Sequence, residues 1–279
     1  MKRLIFSILS LCTLLPFVSE AQEVVNDSKR RNWSDDEPLY GNVESIRIFT
    51  YLATATDYAA AGTITNDITY RFNERGDVAE YTSKSEFSTA HGRYTYDANR
   101  RTLERTLSFD GEFGNRTTFE YNAAGKLIKT TIIDAMGVTE GVCTYKYNDN
   151  GRLIATTYDD MTDWDNDEDI FRTYNSQGKL IEYNYSSTVD AYDEMYEYNT
   201  KGELTKTKYY WEGSVLYVIY CYYNAQGQLT EKVHYNEENQ PTQKIVYQYD
   251  SKGNMVKQSV MDLQTQIVTT VTQRDIVYR

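Results

Sequence analysis

Few residues in this chain could do covalent chemistry, and their spacing keeps them apart. The two histidines, His91 and His234, fall in different units of a repeating pattern. A nucleophile relay needs nucleophile, base and orienting group within hydrogen-bond reach of one another. Nothing in the order of residues gathers such a set. No Cys/His metal spacing occurs, and no glycine-rich phosphate loop opens a helix. With 41 acidic residues, carboxylate pairs of the kind that cleave glycosidic bonds arise by chance. The expectation is a protein that is not an enzyme and uses no cofactor.

Two side-chain groups could bind rather than react. In the acidic stretch from Asp159 to Asp169, Asp163, Asp165 and Asp167 alternate as calcium-loop ligands do. The rest of that loop is missing: Glu168 stands where glycine is needed and Tyr174 where the bidentate glutamate should be. A solvated acidic turn competes with a weak calcium site. The second group is aromatic. Phe87, Phe113, Trp164 and Trp211 fall in variable turns, where binding residues concentrate on rigid scaffolds. Such rings suit sugar stacking or protein hot spots, and they could equally fold back over the sheet.

These residues hang on a repeat. An aromatic, any residue, an aromatic, Asn or Asp, two residues, Gly, one residue and an apolar residue recur eight times. Clear copies are Tyr70 to Val78, Phe119 to Leu127, Tyr145 to Leu153, Tyr196 to Leu204 and Tyr247 to Met255. Looser copies are Tyr94 to Leu103, Arg172 to Leu180 and Cys221 to Leu229. The turn position holds Gly76, Gly125, Gly151, Gly178, Gly202, Gly227 and Gly253, with Arg100 in the second copy; successive copies lie 24–27 residues apart. Such a period marks a repeat array.

Each phrase predicts a β-hairpin tip. Asn or Asp opens a type I turn by bonding its own backbone two residues on. Gly then takes the left-handed conformation that closes the longer hairpin loop with a bulge. Arg100 predicts a different loop in the second copy. The second aromatic should face the apolar residue two after Gly, pairing Tyr121 with Leu127, Tyr147 with Leu153 and Tyr198 with Leu204. Polar residues between the aromatics give a strand with one wet face. The dipeptides Leu127-Ile128, Leu153-Ile154 and Leu180-Ile181 break this alternation. Either both faces are partly covered there or a second bulge shifts the register.

The fold class is therefore all-β: about 8 antiparallel hairpin repeats of 24–27 residues forming a single domain over 41–279. Open sheets much beyond ten strands curl or split, so the sheet should roll with the first aromatics inward. A curved or spiral sheet is expected, with an open spiral, a half-barrel and a closed barrel all compatible with the pattern. Exposed edge strands would then be available for pairing with a partner.

The N-terminus reads as an export signal over 1–21. Lys2 and Arg3 precede an apolar stretch from Leu4 to Val18, and Ser19-Glu20-Ala21 is a small-x-small cleavage site. A polar linker follows over 22–40. The full chain carries a formal net charge of −12, and loss of Lys2, Arg3 and Glu20 makes it one unit more negative. That disfavours nucleic acid, which is bound through Lys and Arg, and anionic lipid. A membrane barrel needs continuously apolar outward positions, but Lys, Glu, Arg, Gln and Thr stand there. Cys143 and Cys221 lie three repeats apart, roughly 29 Å across an unrolled sheet, too far for a disulfide. Two reduced, packed thiols are expected.

The phrase Tyr-x-Tyr-Asn-x-x-Gly-Arg-Leu, as in Tyr145 to Leu153, resembles the YD repeats of Rhs-type proteins, over residues 66 to 260. In that family long strands wind into a sheet-walled spiral or shell, on exported or surface proteins that bind carbohydrate or protein or enclose a toxin segment. This chain has a longer period, fewer repeats and an end at Arg279, which argues against the enclosing role. The resemblance implies an exported, periplasmic, cell-surface or extracellular protein serving as a binding or scaffold surface for a glycan or an envelope protein. A structural component of an envelope or secretion assembly is the alternative.

Overall fold

The computed structural model describes residues 39–53, 64–162 and 167–279. They form eighteen strands in one sheet. The first six are β1 (Val43–Leu52), β2 (Ile64–Phe72), β3 (Val78–Lys84), β4 (Thr89–Tyr96), β5 (Thr102–Phe109) and β6 (Glu112–Tyr121). Next come β7 (Leu127–Asp134), β8 (Thr139–Tyr147), β9 (Leu153–Asp160), β10 (Glu168–Tyr174), β11 (Leu180–Ser187) and β12 (Ala191–Tyr198). The last are β13 (Leu204–Trp211), β14 (Ser214–Tyr223), β15 (Leu229–Asn236), β16 (Pro241–Tyr249), β17 (Met255–Asp262) and β18 (Ile267–Tyr278). Every strand pairs antiparallel with its neighbours in sequence, and β1 pairs with β18 from Val43↔Tyr278 to Leu52↔Thr270. The sheet closes into an up-and-down barrel. This corrects the curved or spiral sheet expected from the repeat. It also removes the edge strands, because closure leaves no unpaired edge.

The eight tips share one loop, Arg100 included. In each, the nitrogen at the turn position bonds back to the Asn or Asp carbonyl, as in Gly151 to Asn148 and Arg100 to Asp97. The Asn or Asp side chain also accepts from the backbone four residues on, as Asn148 does from Arg152 at 2.9 Å. Arg100 takes φ 66°, close to the 77° of Gly151, so the separate loop predicted for the second copy is not formed. Its side chain explains the tolerance. Arg100 Nη2 reaches the buried carboxylate of Asp77 at 2.7 Å and the Arg75 carbonyl at 2.8 Å.

The apolar doublets mark a second bulge rather than two covered faces. Tyr121 faces Leu127 while Glu120 faces Lys129, which leaves Ile128 extra. The same shift leaves Ile154 and Ile181 extra, and Thr205 and Thr230 in later copies. A bulge restores the inward phase after Leu127: Thr130 and Ile132 are buried and Ile128 is exposed. Where the extra residue is Thr, its hydroxyl donates to the carbonyl across the gap, as Thr230 does to Tyr222 at 3.1 Å. In the second copy Thr102, not Leu103, faces Tyr96, and Leu103 is the exposed extra residue.

One face of the sheet holds most buried residues, among them Tyr70, Phe119, Tyr145, Tyr247 and Cys221 from the first position of their phrases. A barrel crowds side chains on its concave face, so these point inward as expected. Cys143 and Cys221 are both buried. The outer face carries ion pairs such as Arg71–Glu80 and Lys129–Glu120. The hydrophobic clusters join neighbouring strands, one around Ile46, Tyr70 and Val78 and another around Phe119, Cys143 and Tyr145.

The second tyrosine of each phrase ties one tip to the tip before it. Tyr96, Tyr121, Tyr147, Tyr174, Tyr198, Tyr223 and Tyr249 each donate a hydroxyl to the carbonyl of the inward residue that opens the preceding hairpin's return strand. At the seam Tyr278 bonds Asp250, and Asn254 holds Tyr278 at 2.7 Å and both backbone groups of Tyr40. Leu39 is fully buried. The linker read over 22–40 therefore ends in residues packed on the barrel; 22–38 and the export signal lie outside the described residues.

Candidate functional site

The eight tips occupy one end of the barrel and the variable turns the other. Of the described aromatics predicted to bind, Phe87 is the most exposed, 86% open in the turn between β3 and β4. Phe113 is exposed at the start of β6, opposite Ser108. Trp211 is partly exposed at the end of β13, before the tight Glu212-Gly213 turn. Trp164, Asp163 and Asp165 lie outside the described residues. Asp167, the remaining residue of the calcium reading, accepts a hydrogen bond from the Asp160 backbone at 2.8 Å. The fold brings Phe87 and Phe113 onto neighbouring hairpins but places Trp211 seven strands beyond Phe113. The three described rings do not form one cluster.

Trp211 instead belongs to a different constellation. It stands directly opposite Tyr192, and Tyr192 lies in a row of stacked rings on the inner face. Tyr183 meets Tyr192 at 6.1 Å between centroids, Tyr192 meets Tyr209 at 4.8 Å, and Tyr209 meets Tyr217 at 4.6 Å with planes 9° apart. Tyr217 then meets His234 at 6.1 Å. Tyr185, directly opposite Tyr192, also stacks on it at 4.9 Å. The row crosses five strands, from β11 to β15. It exists because the bulge after each tip returns every strand to the same inward phase.

Charges bracket and interrupt the row. Arg172 holds the first-aromatic position of the fifth phrase and stacks its guanidinium over Tyr183, 5.5 Å from the ring centre. Its Nη1 donates to Thr156 at 3.0 Å. At the other end Lys232 lies beside His234, whose imidazole is pushed below its ordinary value by burial and then by the Lys232 charge. Glu194 sits in the middle and accepts from Tyr196 at 2.6 Å. Burial raises the phenols of the row, with Tyr209 pushed up to about 12 chiefly by burial and then by Tyr217. These hydroxyls are neutral donors at physiological pH.

No known family model matches the chain, and no curated protein matches it. Solved structures resemble it in outline. A porin-like protein from Bacteroides uniformis is 14% identical over 84% of this chain and 98% of that one, with TM-score 0.46. The TcdB2–TccC3–Cdc42 crystal structure is 17% identical over 80% of this chain, with TM-score 0.41. This chain spans 13% of that chain's length. The LolA superfamily protein NE2245 from Nitrosomonas europaea is 12% identical over 91% of this chain, with TM-score 0.26.

The histidines are kept apart, as their sequence positions suggested. His91 faces outward on β4, 3.3 Å from Glu80, while His234 faces inward on β15. Sequence reasoning missed the tyrosine row and the two bases at its ends. A signal existed: Arg172 breaks the aromatic pattern at a position whose counterparts are mostly buried rings. The row itself depends on the register of several strands at once, which no single phrase reveals.

Proposed function

We propose that the chain is an exported, non-enzymatic YD-like barrel that binds a glycan against its inner aromatic wall. One observation carries this reading: the stacked row from Tyr183 to His234 with Trp211 beside it at the variable-turn end. Aromatic edges, neutral phenol donors and one carboxylate acceptor, Glu194, match what a sugar presents, which is apolar ring faces rimmed by hydroxyls. The inner residues Tyr192, Tyr209, Tyr217 and Ile219 are only half-buried, in keeping with space along this wall. Barrels of 16–18 strands are wide enough to leave such space.

The export signal supports action in the envelope or outside the cell. The outward Arg, Lys and Glu pairs argue against a lipid-facing wall, which must be apolar. Among the described residues no helix is long and apolar enough to cross a membrane. An assembly component remains the second reading, through the charged outer face or the exposed Phe87 and Phe113, since closure removes strand addition.

A glycan array probed with the mature chain, residues 22–279, tests the proposal, with Trp211→Ala and Phe87→Ala variants alongside. Binding of a defined sugar class that Trp211→Ala loses and Phe87→Ala keeps is expected. Absence of binding to every glycan would turn the search to envelope proteins.

A further inference from the structure

Carboxylates outnumber bases along the tyrosine row. Glu168, Asp190 and Glu194 all fall on the inward phase. Glu168 stands opposite Tyr158 and Ser187, and Glu194 opposite Tyr183 and Tyr209. Asp190 lies in the turn from β11 to β12, two residues before Tyr192. Its Oδ1 is buried and has no hydrogen-bond partner. The Tyr185 hydroxyl, on a side chain only 5% exposed, has none either. Ser187, Glu168 and Asp190 act on it from nearby without completing a hydrogen bond. Glu194 adds to burial in raising the phenols of Tyr183, Tyr192, Tyr196, Tyr209 and Tyr217. All three acids are half-buried rather than sealed.

Few bases oppose them. Among the described residues, Arg172 is the inward base on β9 to β13, and its contacts are the Thr156 hydroxyl and the Tyr183 face. Lys232 lies beyond, on β15, beside His234. The ion pairs of the described residues gather on the outer wall and the tips, as at Arg93–Glu80, Arg116–Glu104 and Lys206–Glu197, and none includes these three acids. Taking a charge out of water is costly unless it is paired. Low-dielectric walls focus the field of charges that line them, so this surplus of carboxylate draws a cation that reaches it. No group of His, Cys, Asp or Glu among the described residues is gathered closely enough to hold a metal ion. Asp190 and Glu194 are four residues apart, roughly 13 Å along the strand direction. Glu168 is two strands from them, roughly 10 Å across the sheet. Charges spread in this way fit cationic groups on separate units of an extended molecule.

We propose that this wall selects a cationic amino saccharide, a glycan whose amino groups are free. Glu194, Asp190 and Glu168 take its ammonium groups, and the half-buried phenols of Tyr192, Tyr209 and Tyr217 take its hydroxyls. Glu194 keeps one oxygen for Tyr196 and has the other for the ligand. Asp190 and Tyr185 gain the partners they lack. This deepens the glycan reading and rests on it.

Calorimetric titration of the mature chain at mildly acidic pH with three probes tests the assignment: a chitosan oligomer (free amines), a chitin oligomer (the same backbone, N-acetylated and neutral) and spermidine (amines without sugar). Salt-sensitive binding of the chitosan oligomer, at least tenfold tighter than that of either other probe, is expected. Glu194→Gln, which keeps an acceptor for Tyr196, should weaken the chitosan oligomer about tenfold, the loss implied by one charge-assisted hydrogen bond. It should leave the chitin oligomer unchanged. Asp190→Asn should act in the same direction if Glu194→Gln fails to fold, because the Ser187 contacts of Asp190 are made by its backbone. Equal binding of the chitosan and chitin oligomers, or unchanged chitosan binding in a folded variant, overturns the cationic selectivity and leaves the glycan reading standing. Binding of spermidine alone, or of no probe here and no glycan on the array, overturns both.

Discussion

Tyr147 donates its hydroxyl to the backbone carbonyl of Leu127, 2.8 Å away and one hairpin earlier. Six other tyrosines repeat this bond around the barrel, which explains why the second aromatic of each phrase is Tyr wherever a preceding tip exists. Phe72, in the first phrase, has no such tip before it and carries no hydroxyl. Tyr147→Phe should keep the fold and lower unfolding free energy by about 1 kcal/mol, the usual net value of one such bond. Urea denaturation measures it. An unchanged midpoint would mean that water replaces the donor without loss.

Arg100 stands where seven other tips have Gly, yet replacing it should not help. Arg100→Gly removes a left-handed side-chain penalty of about 1 kcal/mol. It also strands Asp77, whose side chain is 1% exposed and 2.7 Å from the guanidinium. An orphaned buried charge costs about 3 kcal/mol, so a net loss near 2 kcal/mol is expected from these two terms. Adding Asp77→Asn should recover part of it. A more stable Arg100→Gly variant would show that the ion pair contributes little.

The seam depends on Asn254. Its side chain is fully buried and serves Tyr40 N, Tyr40 O and the Tyr278 hydroxyl. Lys252 covers the Tyr278 ring at 3.3 Å from its centre. Asn254→Ala should cost about 2 kcal/mol through the polar groups left unpaired. Hydrogen exchange should accelerate first in β1 and β18, where the barrel closes. Acceleration spread evenly over all eighteen strands would argue against a local latch.

His234 gives the barrel an acid-sensitive element. Its folded value lies below the ordinary 6.5, because burial and then Lys232 disfavour the charged ring. The unfolded chain therefore takes up the proton first as pH falls. Its contribution is intact above pH 6.5 and declines as pH drops below that value toward the lower folded one. Wild type should lose melting temperature between pH 7 and pH 5 more steeply than His234→Phe, which keeps a ring against Tyr217. Parallel curves for the two proteins would refute this.

Much of the architecture was legible in single phrases. The Asn-x-x-Gly core dictated the tip loop because the type I turn and the left-handed fourth residue are local properties of four residues. The Tyr147–Leu153 and Tyr198–Leu204 pairs followed from that loop. The doublet Leu127-Ile128 announced a bulge, although alternation alone could not separate it from a two-sided strand. Arg100 misled because the sequence shows a side chain that disfavours a positive φ but not the carboxylate of Asp77, 23 residues away, that holds it there.

The amino-acid sequence by itself determined the hairpin repeat, its period and its inward aromatic phase, since each rests on contacts within one or two hairpins. Only the tertiary structure decided that the sheet closes and that Arg172, the tyrosine row and Lys232 share one wall. Closure requires strand number, tilt and accumulated register to agree over the whole circuit from β1 to β18. Each bulge shifts that register by one residue, so the placement of side chains across five strands is a sum over the array that no local pattern encodes.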